Sequence, residues 1–222
     1  MTNAPRRPLF PLELVLLPRE RIPLHIFELR YQAMVRRCGE EKIPFGVISM
    51  REGQIAEVGC AAHIEQVLRR FDDGRSHILV RGGERFRTQA PSEHADGYLE
   101  ATWVPFEDDE AEASDPDARE TLERLHQEFA KLREGLPIEE EQSLSASEPI
   151  EDAEPVEPYS FLVAARCGLG VERRQAVLAS RSEREREEIL IEHLVREIPK
   201  LKKRRADMQK VRTNGHVHGS GS

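Results

Sequence analysis

Hydrophobic positions follow two different periods along the chain, and the change between them divides it into two parts. In the first part, short apolar or alternating runs are separated by glycine, proline and Asp-Gly pairs, a pattern that predicts β-strands. The runs are Leu9 to Leu17, Phe45 to Met50, Cys60 to Phe71, His77 to Arg81, Arg85 to Thr88 and Tyr98 to Val104. Because no βα repeat accompanies them, we predict a mostly antiparallel sheet that curls toward a barrel.

Glycine, proline and one helical stripe place the connections between these strands. Asp73-Gly74 predicts a hairpin turn. Gly82-Gly83 is expected to break the return strand after Arg81 and to allow a bulge or corner there. Pro18 should end the first run, after which Arg19 to Pro23 forms a polar crossing. Apolar residues then recur at helical spacing, and Gly39 is expected to end that helix; the stripe consists of Phe27, Tyr31, Met34, Val35 and Cys38.

The second part of the chain has helical periodicity. Asp115 as N-cap and Pro116 in the first turn predict a helix that Gly135 stops, with Leu122, Leu125, Phe129 and Leu132 on one stripe. Tyr159 to Cys167 is apolar nearly all round and predicts a central buried helix that Gly168 ends. A shorter helix, Val171 to Ala179, should follow it.

The last helix carries both a start signal and a break signal. Ser182 to Glu185 fits a capping box, and a stripe follows it at Ile191, Leu194, Val195, Ile198 and Leu201. Pro199 is expected to kink or end this helix. The whole pattern predicts an α+β fold, with an N-terminal, mostly antiparallel pseudobarrel containing one helix and a C-terminal helical bundle. The predicted boundaries are 8–106 for the β-rich part, 107–115 for an acidic linker, 116–205 for the bundle with a mobile acidic loop at about 137–158, and 206–222 for a flexible tail.

Charge is unevenly distributed along the 222 residues, whose formal net charge is -8. Glu107 to Glu157 holds 19 acidic and 4 basic residues, which favours a solvated linker and helix face. Arg196 to Arg212 holds 8 basic and 2 acidic residues and could contact nucleic acid, although basic chain ends are commonly only disordered. Three cysteines without CxxC spacing, a mean hydropathy of -0.59 and no apolar signal segment predict a soluble cytoplasmic protein with reduced thiols and no membrane span.

Several segments resemble the N-terminal domain of Lon ATP-dependent proteases. The resemblance begins at Pro8 to Leu12, Val15 to Pro18, Pro23 to Glu28 and Arg30-Tyr31, and continues at Val58 to Cys60, Ile64 to Val67, Asp72 to Arg75, Gly83 to Arg87, Phe161 to Leu178 and Arg184 to Leu194. It covers nearly the whole chain except the acidic middle and the tail. It implies that the β-rich part is a PUA-like pseudobarrel, and that the chain is a stand-alone form without the ATPase and protease domains.

The resemblance also implies a function, because this domain of Lon is associated with substrate recognition and oligomer assembly. We therefore expect a non-enzymatic protein that binds unfolded polypeptide or a partner protein in an apolar groove between barrel and bundle. The oligomeric state stays open. One alternative is a PUA-like nucleic-acid module, made less favourable by an aromatic content of 5% and supported only by Arg69, Arg70, Arg75, Arg81, Arg85 and Arg87. The other alternative is a small-molecule sensor that holds its ligand in an aromatic cage. It is made less favourable because the chain has one tryptophan, Trp103.

The elbow between the first strand and the first helix is the best candidate for one wall of a binding surface. Within it, His25, Glu28, Arg30 and Tyr31 place an imidazole, a carboxylate, a guanidinium and a phenol close together. A structural alternative is that Glu28 and Arg30 clamp the elbow to the barrel with help from Arg85, while Tyr31 buries its ring. The candidate binding residues are Leu17, Phe27, Glu28, Arg30, Tyr31 and Arg85.

Catalytic and metal-binding patterns are weak throughout. No Gly-x-x-x-x-Gly-Lys-Ser/Thr occurs, and the six lysines lie in polar contexts unsuited to a Ser-Lys dyad. Cys38, Cys60 and Cys167 are expected on apolar faces, where cysteine acts as a small hydrophobe. His216-x-His218 lacks further ligands, and acid pairs such as Asp108-Asp109 should be solvated. We therefore expect no catalytic residue, no metal and no cofactor.

Overall fold

A computed structural model of the chain describes residues 5–134, 136 and 158–214. These residues form seven strands and five α-helices. The strands are β1 (Arg6–Leu12), β2 (Arg21–Ile26), β3 (Phe45–Arg51), β4 (Gln54–Ile55), β5 (Val58–Arg70), β6 (Ser76–Glu93) and β7 (Leu99–Pro105). The helices are α1 (Leu29–Glu41), α2 (Pro116–Arg133), α3 (Tyr159–Arg166), α4 (Val171–Ala179) and α5 (Glu183–Asn214), and a short 3-10 turn lies at Glu110–Glu112.

The strands close into a barrel. Their order is β1-β7-β6-β5-β3, and β1 pairs in parallel with β3 to complete the ring, while every other pairing is antiparallel. The hairpin strand β4 extends β3, and β2 pairs with the first half of β6. The prediction of a mostly antiparallel, curled sheet with one helix, followed by a helical bundle, is confirmed.

The two glycines do not end the strand, but the bulge that they were expected to allow is present. Strand β6 runs through both of them. Between the pairs Cys60–Arg85 and Ala62–Gly82, two residues of β6, Gly83 and Glu84, lie opposite one residue of β5, so the extra residue is on β6. Gly82 is needed because another segment crosses there: a Cβ atom at Gly82 would lie 2.0 Å from the carbonyl oxygen of Leu17. The backbone N–H of Gly82 donates to the carbonyl of Glu20 at 2.8 Å, so the crossing segment is bonded directly to β6.

The first strand and the first helix differ from their predicted limits. Strand β1 ends at Leu12, and the apolar residues 15–17 are buried in irregular chain instead of extending the strand. Gly39 lies inside α1, which ends instead at Lys42 in a left-handed conformation with φ of 52°. Phe27 precedes the helix in extended chain, so it is not part of the buried stripe, which consists of Tyr31, Met34 and Cys38.

The helices form the second layer of the molecule. Asp115 caps α2 by accepting a hydrogen bond from the backbone N–H of Asp117 at 2.9 Å, and Pro116 occupies the first turn, as predicted. Helices α3 and α4 match their predicted spans closely, and Gly168 after α3 has a φ of 72°. Gly135, the acidic loop at 137–157 and residues 215–222 lie outside the described residues.

Two predictions for α5 need correction. Pro199 lies inside the helix and does not end it, and that it kinks the helix stays a prediction. Val195 is exposed, and the stripe packed in the core consists of Leu190, Leu194 and Ile198. Beyond the proline, Lys202 pairs with Glu128 at 2.7 Å, so contact with α2 continues past Pro199.

Buried ion pairs join the barrel to the helices. Arg174 of α4 pairs with Glu20 and donates to the carbonyl of Val15 at 2.9 Å. Arg186 of α5 donates to both carboxylate oxygens of Asp108, which also pairs with Arg85 of β6. The sequence analysis predicted that Asp108 is a solvated linker residue. This prediction is wrong, because Asp108 is held in ion pairs with Arg186 and Arg85. Burial acts to raise the pKa of Asp108, but hydrogen bonds and charge from Arg186 and Arg85 outweigh it and hold the pKa below its ordinary value.

Candidate functional site

Exposed apolar side chains are concentrated at the junction between β2 and α1. Phe27 is 58% exposed and Leu29 is 80% exposed, although Ile26 beside them is buried. Among the described residues, the only other large hydrophobic side chains with comparable exposure are Val67 and Leu68 on β5 and Val195 on α5. An apolar cluster of this kind on an otherwise polar surface is typical of a contact site for another molecule.

Aromatic and imidazole rings extend this junction across the neighbouring strands. His25 stacks on Phe27 with ring centroids 5.6 Å apart, and it meets His77 of β6 edge to face at 4.6 Å. Phe71, in the β5–β6 turn, packs against His77 at 5.4 Å. We refer to His25, Phe27, Leu29, Phe71 and His77 as the elbow patch.

The local sequence explains why these rings face outward. In β2, Ile22, Leu24 and Ile26 alternate into the core, so Pro23 and His25 point away from it and Phe27 continues on that side. The side chain of Gln32 donates to the Phe27 carbonyl at 2.9 Å, which fixes the backbone between strand and helix. The same side chain lies against the β5–β6 turn, since a Cβ atom at Gly74 would be 2.5 Å from its amide oxygen.

Glu28, Arg30 and Tyr31 border the elbow patch. The guanidinium of Arg30 lies 2.7 Å from the Glu28 carboxylate and 4.6 Å from the centre of the Tyr31 ring. The Tyr31 ring is buried at 4.2 Å from Phe10, and this burial raises the pKa of its hydroxyl. Because Glu28 and Arg30 are both well exposed, their ion pair contributes at most about 1 kcal/mol and forms a polar rim.

The other two candidate residues lie away from the elbow patch. Leu17 is 0% exposed, so its side chain packs in the core and cannot contact a partner. Arg85 is also buried, and its guanidinium donates to the carbonyl of Leu178 at 2.8 Å and pairs with Asp108. It faces the helices, so the suggested clamp between Arg85 and the Glu28–Arg30 pair does not form. Leu29, Phe71 and His77 were missed. His25 was singled out within the elbow but not chosen as a binding residue, although the alternation in β2 would have indicated its outward position.

The cleft between the barrel and the helices is charged, which contradicts the expected apolar groove. It lies between the β3–β4 hairpin and helices α4 and α5, and Arg51 bridges it by pairing with Glu172. Its further lining residues include Glu13, Glu52, Arg173, Arg196 and Glu197. Such a surface offers little apolar area to an unfolded segment.

The arginines that would favour nucleic acid are mostly engaged within the protein. Arg75 pairs with Asp73 at 2.7 Å, Arg81 lies 3.6 Å from Glu65, and Arg87 lies 3.9 Å from Glu57, while Arg85 is buried. Trp103, relevant to the small-molecule alternative, stacks on Phe86 with centroids 4.0 Å apart in a small second core cluster. The stack of Trp103 and Phe86 therefore does not form an open aromatic cage.

The thiols are unsuited to nucleophilic chemistry. Burial raises the pKa of Cys38 and of Cys167 to about 12, and it raises the pKa of Cys60 further. Within residues 5–134, 136 and 158–214, no three His, Cys, Asp or Glu side chains come together as a metal site would require. No helix in that part of the chain is both long and apolar enough to cross a bilayer.

Comparison with known proteins identifies similar sequences and folds. A family model described as the ATP-dependent protease La (LON) substrate-binding domain matches residues 6–196. The crystal structure of a Lon N-terminal domain protein from Xanthomonas campestris is 27% identical, with a TM-score of 0.61 over 84% of this chain and 97% of that one. The N-terminal domain of a Mycobacterium avium complex Lon protease has the same fold at 16% identity, with a TM-score of 0.61 over 86% of this chain and 98% of that one.

Proposed function

The chain belongs to the family of Lon substrate-binding domains, and we propose that it binds unfolded polypeptide or a partner protein through the elbow patch. The observation that carries this proposal is the exposure of Phe27 and Leu29 beside a continuous cluster of rings. The family membership supports substrate recognition in general, and the patch supplies a specific place for it. We propose a non-catalytic role, in which binding presents the polypeptide without changing its covalent structure.

The physical basis of binding would be burial of apolar area. Covering a Phe or Leu side chain completely is worth about 1.5–3 kcal/mol, and the present exposure of Phe27 and Leu29 leaves more than half of that available. The backbone at the junction is already fixed by the Gln32 hydrogen bond to Phe27, so little ordering is needed when a partner binds. An unfolded segment with spaced apolar side chains would match such a site.

Fluorescence anisotropy with labelled, reduced and carboxymethylated α-lactalbumin tests the proposal. We expect Phe27→Ser and Leu29→Ser each to weaken binding by about threefold to tenfold, because each removes roughly 1 kcal/mol of apolar contact. Val195→Ser is the matched control, since Val195 is 56% exposed but lies on α5. Circular dichroism and thermal unfolding of all three variants should match the unsubstituted protein, because none of these side chains is in the core.

Two results would count against this function. The first is no detectable binding of unfolded α-lactalbumin by the intact, folded protein. The second is equal weakening by Val195→Ser and by the two patch variants, which would indicate nonspecific adhesion to any exposed apolar side chain.

A further inference from the structure

We infer that the elbow patch selects polypeptide segments that carry acidic residues beside apolar ones. This inference rests on the proposed polypeptide binding and names the chemical class of segment that the site prefers. Its basis is the placement of guanidinium groups directly against Phe71, a half-buried ring of the elbow patch. A segment that buries an apolar side chain on the patch would then bring its neighbouring side chains next to positive charge.

Phe71 lies between two arginines. The guanidinium carbon of Arg69 is 4.5 Å from the centre of the ring, and that of Arg75 is 5.2 Å from it. Both contacts hold positive charge at the edge of the elbow patch, since a guanidinium is attracted to an aromatic face. Arg75 also forms an ion pair with Asp73. Arg69 and the neighbouring Arg70 have no carboxylate within ion-pair distance among the described residues.

This surface differs in sign from the molecule as a whole. Residues 21–30 and 63–81, which form β2, the elbow and the β5–β6 hairpin, carry six arginines and four carboxylates, while the chain has a net charge of -8. Three of the four carboxylates are already paired: Glu28 with Arg30, Glu65 with Arg21, and Asp73 with Arg75. Only Asp72 remains without a described ion pair, so an incoming carboxylate meets little competition at Arg69.

A polypeptide fits this arrangement better than a single-stranded nucleic acid does. Nucleic-acid bases bind by stacking on open ring faces. Here His25 and Phe27 stack on each other, His77 meets the rings of His25 and Phe71, and the arginines lie over Phe71. A carboxylate needs only a free guanidinium, and an aliphatic or aromatic side chain needs only apolar area; Phe27 and Leu29 supply that area.

The test uses three labelled peptides that share one Phe- and Leu-containing centre and differ only in their flanks, which are Glu, Ser or Lys. In ~20 mM salt we expect the Glu-flanked peptide to bind about threefold to tenfold more tightly than the Ser-flanked one, and the Lys-flanked peptide to bind most weakly. The ratio of affinities for the Glu-flanked and Ser-flanked peptides should fall toward one at ~1 M salt, because exposed charge pairs are screened. Anisotropy titration gives all three dissociation constants.

Substitutions test which side chains cause the preference for acidic flanks. In Arg69→Gln the ratio of affinities for Glu and Ser flanks should fall to about twofold or less, since the guanidinium that lies over Phe71 without a carboxylate partner is gone. Arg124→Gln is the control, because Arg124 is exposed on α2 in the helical part and should retain the ratio of the unsubstituted protein.

Each outcome decides a different claim. Equal affinity for Glu- and Ser-flanked peptides would overturn the acidic preference while leaving polypeptide binding standing. Absence of binding by all three peptides would overturn both. If poly(U) displaced the Glu-flanked peptide at a lower concentration than the unlabelled peptide does, the positive surface would belong to nucleic acid and the inference would be wrong.

Discussion

Arg174 and Glu20 join helix α4 to the chain that crosses the barrel, and we predict that breaking this buried pair costs several kcal/mol of stability. Glu20 is 1% exposed and Arg174 is 6% exposed. One carboxylate oxygen of Glu20 accepts from Arg174 and from the backbone N–H of Leu17 at 3.0 Å. The guanidinium also donates to the carbonyl of Val15 at 2.9 Å.

In Arg174→Met, the Glu20 carboxylate would keep a single backbone donor, and the carbonyl of Val15 would lose its partner. Leaving one charge of a buried pair uncompensated typically costs about 3–5 kcal/mol, so we expect a loss of that size in the free energy of unfolding. The matched variant Glu20→Gln/Arg174→Met removes the stranded charge. It should therefore be less destabilised than Arg174→Met alone, although it lacks more of the original contacts.

Urea unfolding provides the assay. Trp103 is the only tryptophan and lies on β7, so its fluorescence reports on the barrel, while far-ultraviolet circular dichroism reports mainly on the helices. The two transitions should coincide in the unsubstituted protein, because one core cluster includes residues of both parts. A loss below about 1 kcal/mol in Arg174→Met, or a double variant destabilised as much as or more than Arg174→Met, would refute the reasoning.

Two further predictions concern stability. Glu187 is fully buried and accepts from Ser114 at 2.7 Å, and burial together with the charge of Glu183 raises its pKa. The folded state therefore holds this proton more tightly than the unfolded state, so stability falls as pH rises through the interval between the two pKa values. Glu187→Gln should gain stability relative to the unsubstituted protein as pH rises above about 4.5 in urea titrations, and parallel curves would contradict this. Gly82→Ala should lose about 1–3 kcal/mol of stability, because its Cβ would lie 2.0 Å from the Leu17 carbonyl oxygen. Gly39→Ala is the control: nothing lies within 4 Å of its Cβ position, so it should gain about 0.5–1 kcal/mol. Equal shifts of the melting temperature in the two variants would exclude the crossing at Gly82 as the cause.

Much of the fold could be predicted from the sequence because its signals are local. The Asp115 cap and Pro116 mark the start of α2, and Gly168 with its positive φ marks the end of α3. Alternating and apolar runs likewise predicted β3, β7 and the β5–β6 hairpin. In these cases, the conformation that each residue favours locally is the one it adopts in the folded chain.

The errors have a common physical reason, which is that distant chain segments override local preference. Gly82 looked like a strand break, but it is small because the Leu17 carbonyl crosses it. Pro199 looked like a possible helix end, but α5 continues through it, with Ile198 buried before it and Lys202 paired with Glu128 of α2 after it. A single sequence contains no direct sign of either contact.

The surroundings of the elbow were predicted only in part for the same reason. Phe27 was assigned to a buried helical stripe because its spacing from Tyr31 is helical, whereas it precedes the helix and is exposed. The contacts of Phe27 with His25, and of His25 with His77, depend on the pairing of β2 with β6. Arg85 was placed near the elbow, yet its partner Asp108 lies in the linker toward the helices.

Hydrogen–deuterium exchange of the intact protein, with and without reduced and carboxymethylated α-lactalbumin, tests most directly whether the elbow patch is the binding surface. We expect slower exchange on binding in segments 21–32 and 63–78, which hold β2, the start of α1 and the β5–β6 hairpin. Protection confined to segments 49–56 and 170–175, which line the charged cleft, would contradict the account, and so would unchanged exchange throughout the chain.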